Sequence, residues 1–277
     1  MLTFAITTTT KLAGLSLHKN GKYLGEVKVE VAKTHSTTIL EQIDRLFEWT
    51  GTTLDEVENV LVSIGPGSFT GVRIAIAVVK GLFFNKNVRF FEVNELDALA
   101  YQAFYQLKGV KNDIENVKIY SLIDSRKEKV YAAVYQVQKN LENEFELKQI
   151  KDYEVKKLDN IIEEINNSEN KENYLVGDAV LNYKGKIIEK IADKVKIFED
   201  NSLKISTTTF TEMFFNEKLK ETNIIDLKPD YLEKSLFRCR QSIFQRFQFR
   251  FFLRFFYLFI YFFQRTINIL HDFLTNF

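Results

Sequence analysis

The chain has 277 residues, which is long enough for two modest domains, because single cores seldom grow beyond about 150 residues. Its 38 basic and 37 acidic side chains nearly cancel to a formal charge of +1, which excludes a global field that would draw it onto nucleic acid or an anionic membrane. The only cysteine, Cys239, excludes an intramolecular disulfide and a thiolate zinc cluster, and the start MLTFAITTTT lacks a signal-peptide pattern, so we expect a cytoplasmic protein.

The first half of the chain predicts an antiparallel meander of strands followed by alternating helices and strands. Gly21 supplies a hairpin turn in the meander. Apolar residues at steps of three and four predict a helix over residues 38–49, in which Thr38 and Glu41 form a capping box and Gly51 ends the helix. The predicted strands are residues 2–7, 13–18, 25–32, 59–65 and 88–93, and the next helices are residues 71–84 and 94–107, the latter capped by Asn94.

The second half of the chain repeats this order of elements. A second meander, one amphipathic helix and one strand precede two further helices. A polar stretch at residues 107–117 separates the halves, so we predict an α/β fold with one subdomain in residues 1–110 and another in residues 111–235. The predicted strands are residues 117–124, 129–137, 144–150 and 173–177, and the helices are residues 158–167, 178–192 and 205–219.

The last segment, residues 236–277, differs in composition from everything before it. It holds 13 of the 26 phenylalanines of the chain and one acidic residue, Asp272, but no lysine. Its most apolar run, FFLRFFYLFIYFF, is too short for a spanning helix, which needs about 20 apolar residues. An aberrant terminus from a shifted reading frame is favoured over a membrane-surface helix.

A glycine-rich turn, Gly65-Pro66-Gly67, ends the fourth predicted strand and leads into a helix. Such a turn can cradle a phosphate or simply launch a helix. The chain has no lysine where a P-loop would place one, so the pattern favours a turn shaped for packing, in which Thr70 caps the helix. The alternative is a vestigial phosphate loop formed by Gly65, Gly67, Ser68, Thr70 and Gly71.

Other polar residues carry weaker signals. His18, His35 and His271 do not have the spacing of a zinc peptidase, and Ser68 has no histidine base near it in sequence. Two polar turns could each form a ligand site, although a solvated hairpin and a helix cap are the commoner explanations of such patterns. These turns contain Asp124, Arg126 and Lys127, and Gly177 and Asp178.

Six motifs in order give the chain its resemblance to a known family. They are THSTTILEQIDRLFEWTG, GPGSFTGVRIAIAVVKGL, NELDALA, IDSRKEKVY, LVGDAV and KPDYLEK, and the resemblance spans residues 4–234. The chain resembles the TsaB (YeaZ) family, bacterial partner proteins in the formation of threonylcarbamoyladenosine on tRNA. The resemblance implies two subdomains of the actin/Hsp70/sugar-kinase type.

The resemblance also implies a function in binding rather than catalysis. TsaB-like proteins pair with the catalytic subunit TsaD and act with the ATPase TsaE, so tRNA, ATP and magnesium are implied only through the complex, with a homodimer when the partner is absent. The family often has an aspartate on its first strand, where this chain has Thr7. We therefore expect no catalytic residue, metal or cofactor of its own, and no membrane partner unless residues 236–277 are functional. The alternative is a degenerate sugar-kinase-like ATPase or a peptidase.

The partner surface is predicted on two helices. The helix over residues 72–84 has more apolar positions than one core-facing side needs, and in TsaB-like proteins this helix and the one over residues 38–49 pack against the equivalent pair in TsaD. We expect outward apolar contacts flanked by rim charges. The apolar candidates are Ile39, Ile43, Ile76, Val79 and Phe83, and the rim charges are Arg73 and Lys80.

Overall fold

Two mixed β-sheets and seven helices are found in the ranges that the computed structural model describes, residues 1–30, 35–170 and 172–232. The predictions for Cys239, His271 and residues 236–277 lie outside these ranges. The strands are β1 (Leu2–Thr7), β2 (Leu12–Lys19), β3 (Lys22–Glu30), β4 (Val57–Gly65), β5 (Arg89–Asn94), β6 (Lys118–Asp124), β7 (Lys129–Lys139), β8 (Phe145–Lys157), β9 (Asn173–Val176), β10 (Val195–Ile197) and β11 (Lys220–Thr222). The helices are α1 (Ile39–Thr50), α2 (Phe69–Phe83), α3 (Glu95–Val110), α4 (Leu158–Asn166), α5 (Asp178–Asn182), α6 (Lys184–Ile191) and α7 (Thr208–Phe215).

The two sheets repeat one topology. The first has the order β11-β5-β4-β1-β2-β3 and the second has the order β10-β9-β6-β7-β8. In each sheet an antiparallel meander is extended by two parallel strands, β4 and β5 in one and β9 and β10 in the other. Helices α1 and α4 occupy equivalent crossovers, as do α2 and the pair α5 and α6. The predicted α/β fold, with a three-stranded meander in each half, is confirmed.

The chain returns to the first sheet near the end of the described residues. β11 pairs antiparallel with β5, so residues 220–222 extend a sheet whose other strands all precede residue 95. Residues 1–232 form one compact unit. Within these described ranges, no helix has the length and apolar character required to cross a membrane.

Strand β1 shows why the first sheet is buried on both faces. Every residue from Leu2 to Thr7 is buried, which suits a central strand and explains its almost continuous apolar sequence. Successive side chains point to opposite faces: Phe4 and Ile6 pack in the cluster under α1 and α2, whereas Ala5 packs in the cluster around α3 and the second sheet. The first sheet therefore separates two hydrophobic cores.

Helix ends test the predicted caps. Gly51 adopts the left-handed conformation after α1, and the Asn94 side chain accepts hydrogen bonds at the start of α3, as predicted. The predicted capping box at Thr38 is wrong, because the Thr38 hydroxyl instead accepts a hydrogen bond from the Gln42 side chain. Helix α2 also begins earlier than predicted and is capped by Ser68, whose side chain accepts a hydrogen bond from the Gly71 amide, and not by Thr70.

The other differences involve β8, which continues to Lys157 instead of ending at residue 150, and several short elements. The predicted helix over residues 178–192 is interrupted at Tyr183, where backbone angles leave the helical range, and the one over residues 205–219 is confined to α7. Strands β10 and β11 were not predicted, since three residues are too few to establish an alternating pattern.

Candidate functional site

The carboxyl ends of strands from both sheets carry a group of polar residues. Thr7 ends β1, Ser63 lies near the end of β4, and Glu95 opens the helix that follows β5. In the second sheet Asp124 ends β6, and Asp178 opens the helix that follows β9. We call these five residues the strand-end cluster. Ligands of open α/β sheets bind at such strand ends, so the strand-end cluster is the candidate functional site.

The glycine turn packs against the chain itself. The Ser68 amide donates to the Thr9 carbonyl oxygen at 2.5 Å, and the Thr8 hydroxyl donates to the Gly71 carbonyl oxygen at 2.7 Å. A Cβ atom on Gly67 would lie 2.4 Å from the Thr9 carbonyl oxygen, and one on Gly71 would lie 1.9 Å from that of Thr8. The missing side chains therefore let two backbone segments approach, as expected for a packing turn.

This packing bears directly on the alternative of a vestigial phosphate loop. An anion at a helix N-terminus needs free amide groups. The Ser68 and Gly71 amides are both engaged within the chain, and Thr70 is an exposed residue of the first helical turn. Gly65 is also approached by the chain, because a Cβ there would lie 3.1 Å from the Asp230 carbonyl oxygen.

Glu95 is a fully buried acid that sequence reasoning missed. Its carboxylate accepts hydrogen bonds from the Thr7 hydroxyl at 3.1 Å and from the Ser63 hydroxyl at 2.5 Å. Burial raises the pKa of Glu95 to about 7, against the opposing effect of hydrogen bonds from Ser63, Thr9 and Thr7, and the nearby Asp178 raises it further. An acid in the first turn of a helix is common on dipole grounds alone, so nothing in the sequence indicates that this one is buried.

Asp178 and Asp124 link the ends of β6 and β9. Burial raises the pKa of Asp178 to about 6, although its side chain accepts a hydrogen bond from the Asp124 amide at 2.9 Å. The Asp124 carboxylate accepts from the Asn182 side chain and from the Tyr183 hydroxyl, at 2.9 and 3.0 Å. A Cβ atom on Gly177 would lie 2.1 Å from a carbonyl oxygen of β6, so this glycine permits close backbone packing.

The other polar residues that the sequence singled out are not part of the strand-end cluster. Arg126 and Lys127 are exposed in the turn after β6. His35 donates from Nε2 to the Thr10 carbonyl oxygen at 2.7 Å, since a carbonyl can only accept. His18 is buried, which lowers its pKa, and its Nδ1 lies 3.1 Å from the Thr211 hydroxyl. Across the described part of the chain, no group of three or more His, Cys, Asp or Glu could hold a metal ion.

Comparison with known proteins places the chain in a family. A family model described as "TsaD: tRNA N6-adenosine threonylcarbamoyltransferase" matches residues 16–212, well over half of the chain. The chain belongs to this family. Its curated relatives carry the name TsaB, so within the family it is a TsaB/YeaZ protein, as its motifs predicted.

Three relatives illustrate the extent of the similarity. The TsaB proteins of Haemophilus influenzae and Escherichia coli are 30% and 29% identical over 46% and 50% of this chain, covering 50% and 57% of their own lengths. The chain thus spans about half the length of the curated relatives it matches. A solved Pseudomonas aeruginosa protein, described as similar to the peptidase YeaZ, shares the fold with a TM-score of 0.64 and 23% identity, over 84% of this chain and 99% of its own.

The apolar partner candidates of this TsaB/YeaZ protein lie inside its own core. All five are buried in the cluster under α1 and α2, so the prediction that they face outward is wrong. The reason is that these residues pack on the first sheet, where the centre of the Phe83 ring lies 6.1 Å from that of the Phe4 ring. Leu227 of the returning segment is buried in the same cluster, and the Asp230 amide donates to the Ile64 carbonyl oxygen at 2.8 Å. The buried candidates are Ile39, Ile43, Ile76, Val79 and Phe83.

The predicted rim charges contact the returning C-terminal segment. Arg73 donates to the Tyr231 hydroxyl at 2.7 Å, and its guanidinium lies 3.7 Å from the centre of the Phe69 ring. The Lys80 ammonium donates to the Ile225 carbonyl oxygen at 3.2 Å. The assignment of the helix pair to a partner surface stays a prediction, with different residues on its outside.

Proposed function

We propose that the chain is a non-catalytic subunit in the formation of threonylcarbamoyladenosine on tRNA, and that it pairs with a TsaD-type catalytic subunit. The family match and the TsaB names of its relatives support the pathway. The observation that most directly supports a non-catalytic role is the glycine turn, where backbone and side-chain groups of Thr8 and Thr9 are hydrogen-bonded to the start of the helix.

The strand ends support the same conclusion. Thr7 has a hydroxyl where, by the resemblance, the family often has an aspartate, and that hydroxyl is bonded to the buried Glu95. Arg73, the basic residue nearest the glycine turn in sequence, is bonded to Tyr231. A phosphate would have to displace the Thr9 carbonyl from the Ser68 amide before it could bind there.

Purified chain should therefore show no magnesium-dependent ATP hydrolysis, because the Ser68 and Gly71 amides are bonded within the chain and Glu95, the carboxyl group bonded to Thr7, is fully buried. The measurement is phosphate release by the isolated protein, compared with buffer and with the Gly67→Ala variant. Turnover that the variant abolishes would instead support the alternative of a degenerate sugar-kinase-like ATPase. We expect ATP and magnesium to enter through partners, with TsaE as the ATPase and tRNA bound by the complex.

The outer face of α2 is the surface that we assign to the TsaD-type partner. It consists of residues four or three apart along one side of the helix. Large exposed rings flank it, with Phe69 in the first turn 47% accessible and Phe84 just after the helix 71% accessible, and the side chains of Ala77 and Gly81 between them are small or absent. Among the described residues outside its own helix turn, no atom lies within 4 Å of a Cβ built on Gly81, so a partner helix can approach the backbone closely there. The helical residues of this face are Phe69, Arg73, Ala77 and Gly81, and Phe84, three residues after Gly81, directly follows the end of the helix.

The test is a charged side chain in the middle of this face. Gly81→Glu should weaken binding of the TsaD-type protein by about 100-fold or more, because a carboxylate would be buried without a partner. Gly185→Glu is the matched control, since Gly185 also lies in a helix with open space around its Cβ position. Binding is measured by calorimetry after circular dichroism has shown that both variants are folded.

Two results would contradict the assignment. Unchanged affinity in Gly81→Glu would place the partner on another surface, and an equal loss in Gly185→Glu would mean that the effect is not local. A wild-type chain that neither binds the TsaD-type protein nor restores growth to cells depleted of their own TsaB would overturn the proposed function as a whole.

A further inference from the structure

The Glu95 carboxyl is an uncompensated acid at the junction of three elements. It is fully buried at the start of α3 and is hydrogen-bonded to the end of β1 through Thr7 and to β4 through Ser63. Its recorded partners in the described chain are hydroxyl groups, and no ion pair to it is found there. A buried carboxylate without a cation is costly, whereas a neutral carboxyl with hydroxyl partners is not.

A second buried acid faces it from the other sheet. Asp178, at the start of α5, interacts electrostatically with Glu95 as a like charge. Asp124 adds a further negative charge behind Asp178, and Lys11 in the turn after β1 partly offsets it. The Thr9 hydroxyl completes the surroundings of Glu95. Ionisation of Glu95 therefore places two buried negative charges at strand ends of different sheets.

Hydroxyl groups can hydrogen-bond to the Glu95 carboxyl in either of its protonation states. Glu95 can therefore gain or lose its proton while it keeps the same hydrogen-bond partners. A protonated Glu95 can donate to one hydroxyl and accept from another, because threonine and serine hydroxyls do both. An ionised Glu95 only accepts hydrogen bonds, and the acceptor sites that the hydroxyl groups leave unfilled need hydrogen bonds from water. Water can reach it only when the ends of β1 and β4 loosen, because the side chain is fully buried.

We propose that Glu95 is a proton-operated latch: when neutral, it holds the ends of β1 and β4 against α3, and when it loses its proton, these strand ends open to water. The latch is a regulatory device within the fold and does not depend on the proposed partner. With a pKa of about 7 for Glu95 and about 6 for Asp178, the latch would respond near neutral pH.

The direction of the effect follows from linkage. The pKa of Glu95 is raised above its ordinary value of 4.5, so the folded state binds this proton more tightly than the unfolded state does. The contribution of protonated Glu95 to the free energy of unfolding is fully present below about pH 4.5 and is lost as the pH rises through about 7. Opening is therefore expected on the alkaline side.

Hydrogen–deuterium exchange of the intact chain tests the latch. After correction for the intrinsic pH dependence of exchange, protection in residues 7–10, 63–68 and 95–97 should fall by about 10-fold between about pH 5.5 and about pH 8.5. Glu95→Gln should make protection in these segments independent of pH. Glu212→Gln is the matched control, because burial also raises the pKa of Glu212, which lies on α7 outside the cluster, and it should keep the wild-type response.

A second arm keeps the test decisive if Glu95→Gln does not fold. Carbon-13 NMR of glutamate-labelled wild-type chain should show one carboxyl that titrates near pH 7, and Asp178→Asn should move that midpoint lower by removal of a like charge. No glutamate carboxyl titrating near neutral pH would overturn the latch. A pH response that persists in folded Glu95→Gln would do the same.

Discussion

At the scale of single residues, the hydrogen bond between Thr7 and Glu95 decides the chemistry of the strand-end cluster. The position of Glu95 in the first turn of α3 favours its ionised form through the helix dipole, by up to about 2 kcal/mol. Burial outweighs this, because a pKa raised from 4.5 to about 7 favours the neutral form by about 3 kcal/mol. Burial thus keeps the Glu95 carboxyl neutral, although the dipole of its own helix favours the ionised form.

Exchanging the two side chains tests this arrangement. Thr7→Asp alone should destabilise the fold by about 3 kcal/mol or more, because it adds a second carboxyl beside Glu95 in a buried site. The double variant Thr7→Asp, Glu95→Thr moves the carboxyl across the same hydrogen bond and should recover most of that loss. Urea denaturation of the single and double variants measures the coupling, and strictly additive effects would show that the two side chains act independently.

At the scale of elements, local patterns predicted most helices and strands but not their surroundings. The alternation of β2 and the apolar steps of α1 depend on neighbouring residues, so the sequence predicted both elements within a residue or two. The sequence pattern of the surplus apolar residues of α2 is the same whether a partner protein or the chain itself buries them, so the pattern could not separate the two cases. These residues share a core cluster with β1, β4 and Leu227, and Leu227 lies more than 140 residues from α2 in sequence, so no local pattern could report that it belongs to the same core.

The glycines of α2 provide a prediction at this scale. Gly71→Ala should destabilise the fold by at least about 2 kcal/mol, because its Cβ would lie 1.9 Å from the Thr8 carbonyl oxygen and the backbone would have to move. Gly81→Ala, in the same helix with open space around the Cβ, should stabilise it by about 0.5–1 kcal/mol through helix propensity. Thermal unfolding compares the two, and similar effects of both substitutions would contradict the packing role of Gly71.

At the scale of the whole molecule, contacts distant in sequence connect the first sheet with residues 206–222. The Glu26 carboxylate of β3 accepts from the Thr207 amide at 2.8 Å and from the Ser206 hydroxyl at 2.7 Å, which fixes the start of α7 to the first sheet. β11 then pairs with β5. The sequence predicted two similar halves, but not that the second half ends on the first sheet, because such pairing leaves no periodic signal within either half.

The segment after β11 offers the sharpest test of this closure. Leu227 is buried in the core beneath α2, so Leu227→Ala should reduce the free energy of unfolding by about 3 kcal/mol through lost burial and a residual cavity. Ile225 lies two residues earlier and is 77% exposed, so Ile225→Ala should change it by less than about 0.5 kcal/mol. Urea denaturation monitored by the fluorescence of Trp49, the sole tryptophan, would measure both. Equal effects of the two substitutions would mean that the segment does not close the first core, and the apolar face of α2 would then again be available to a partner.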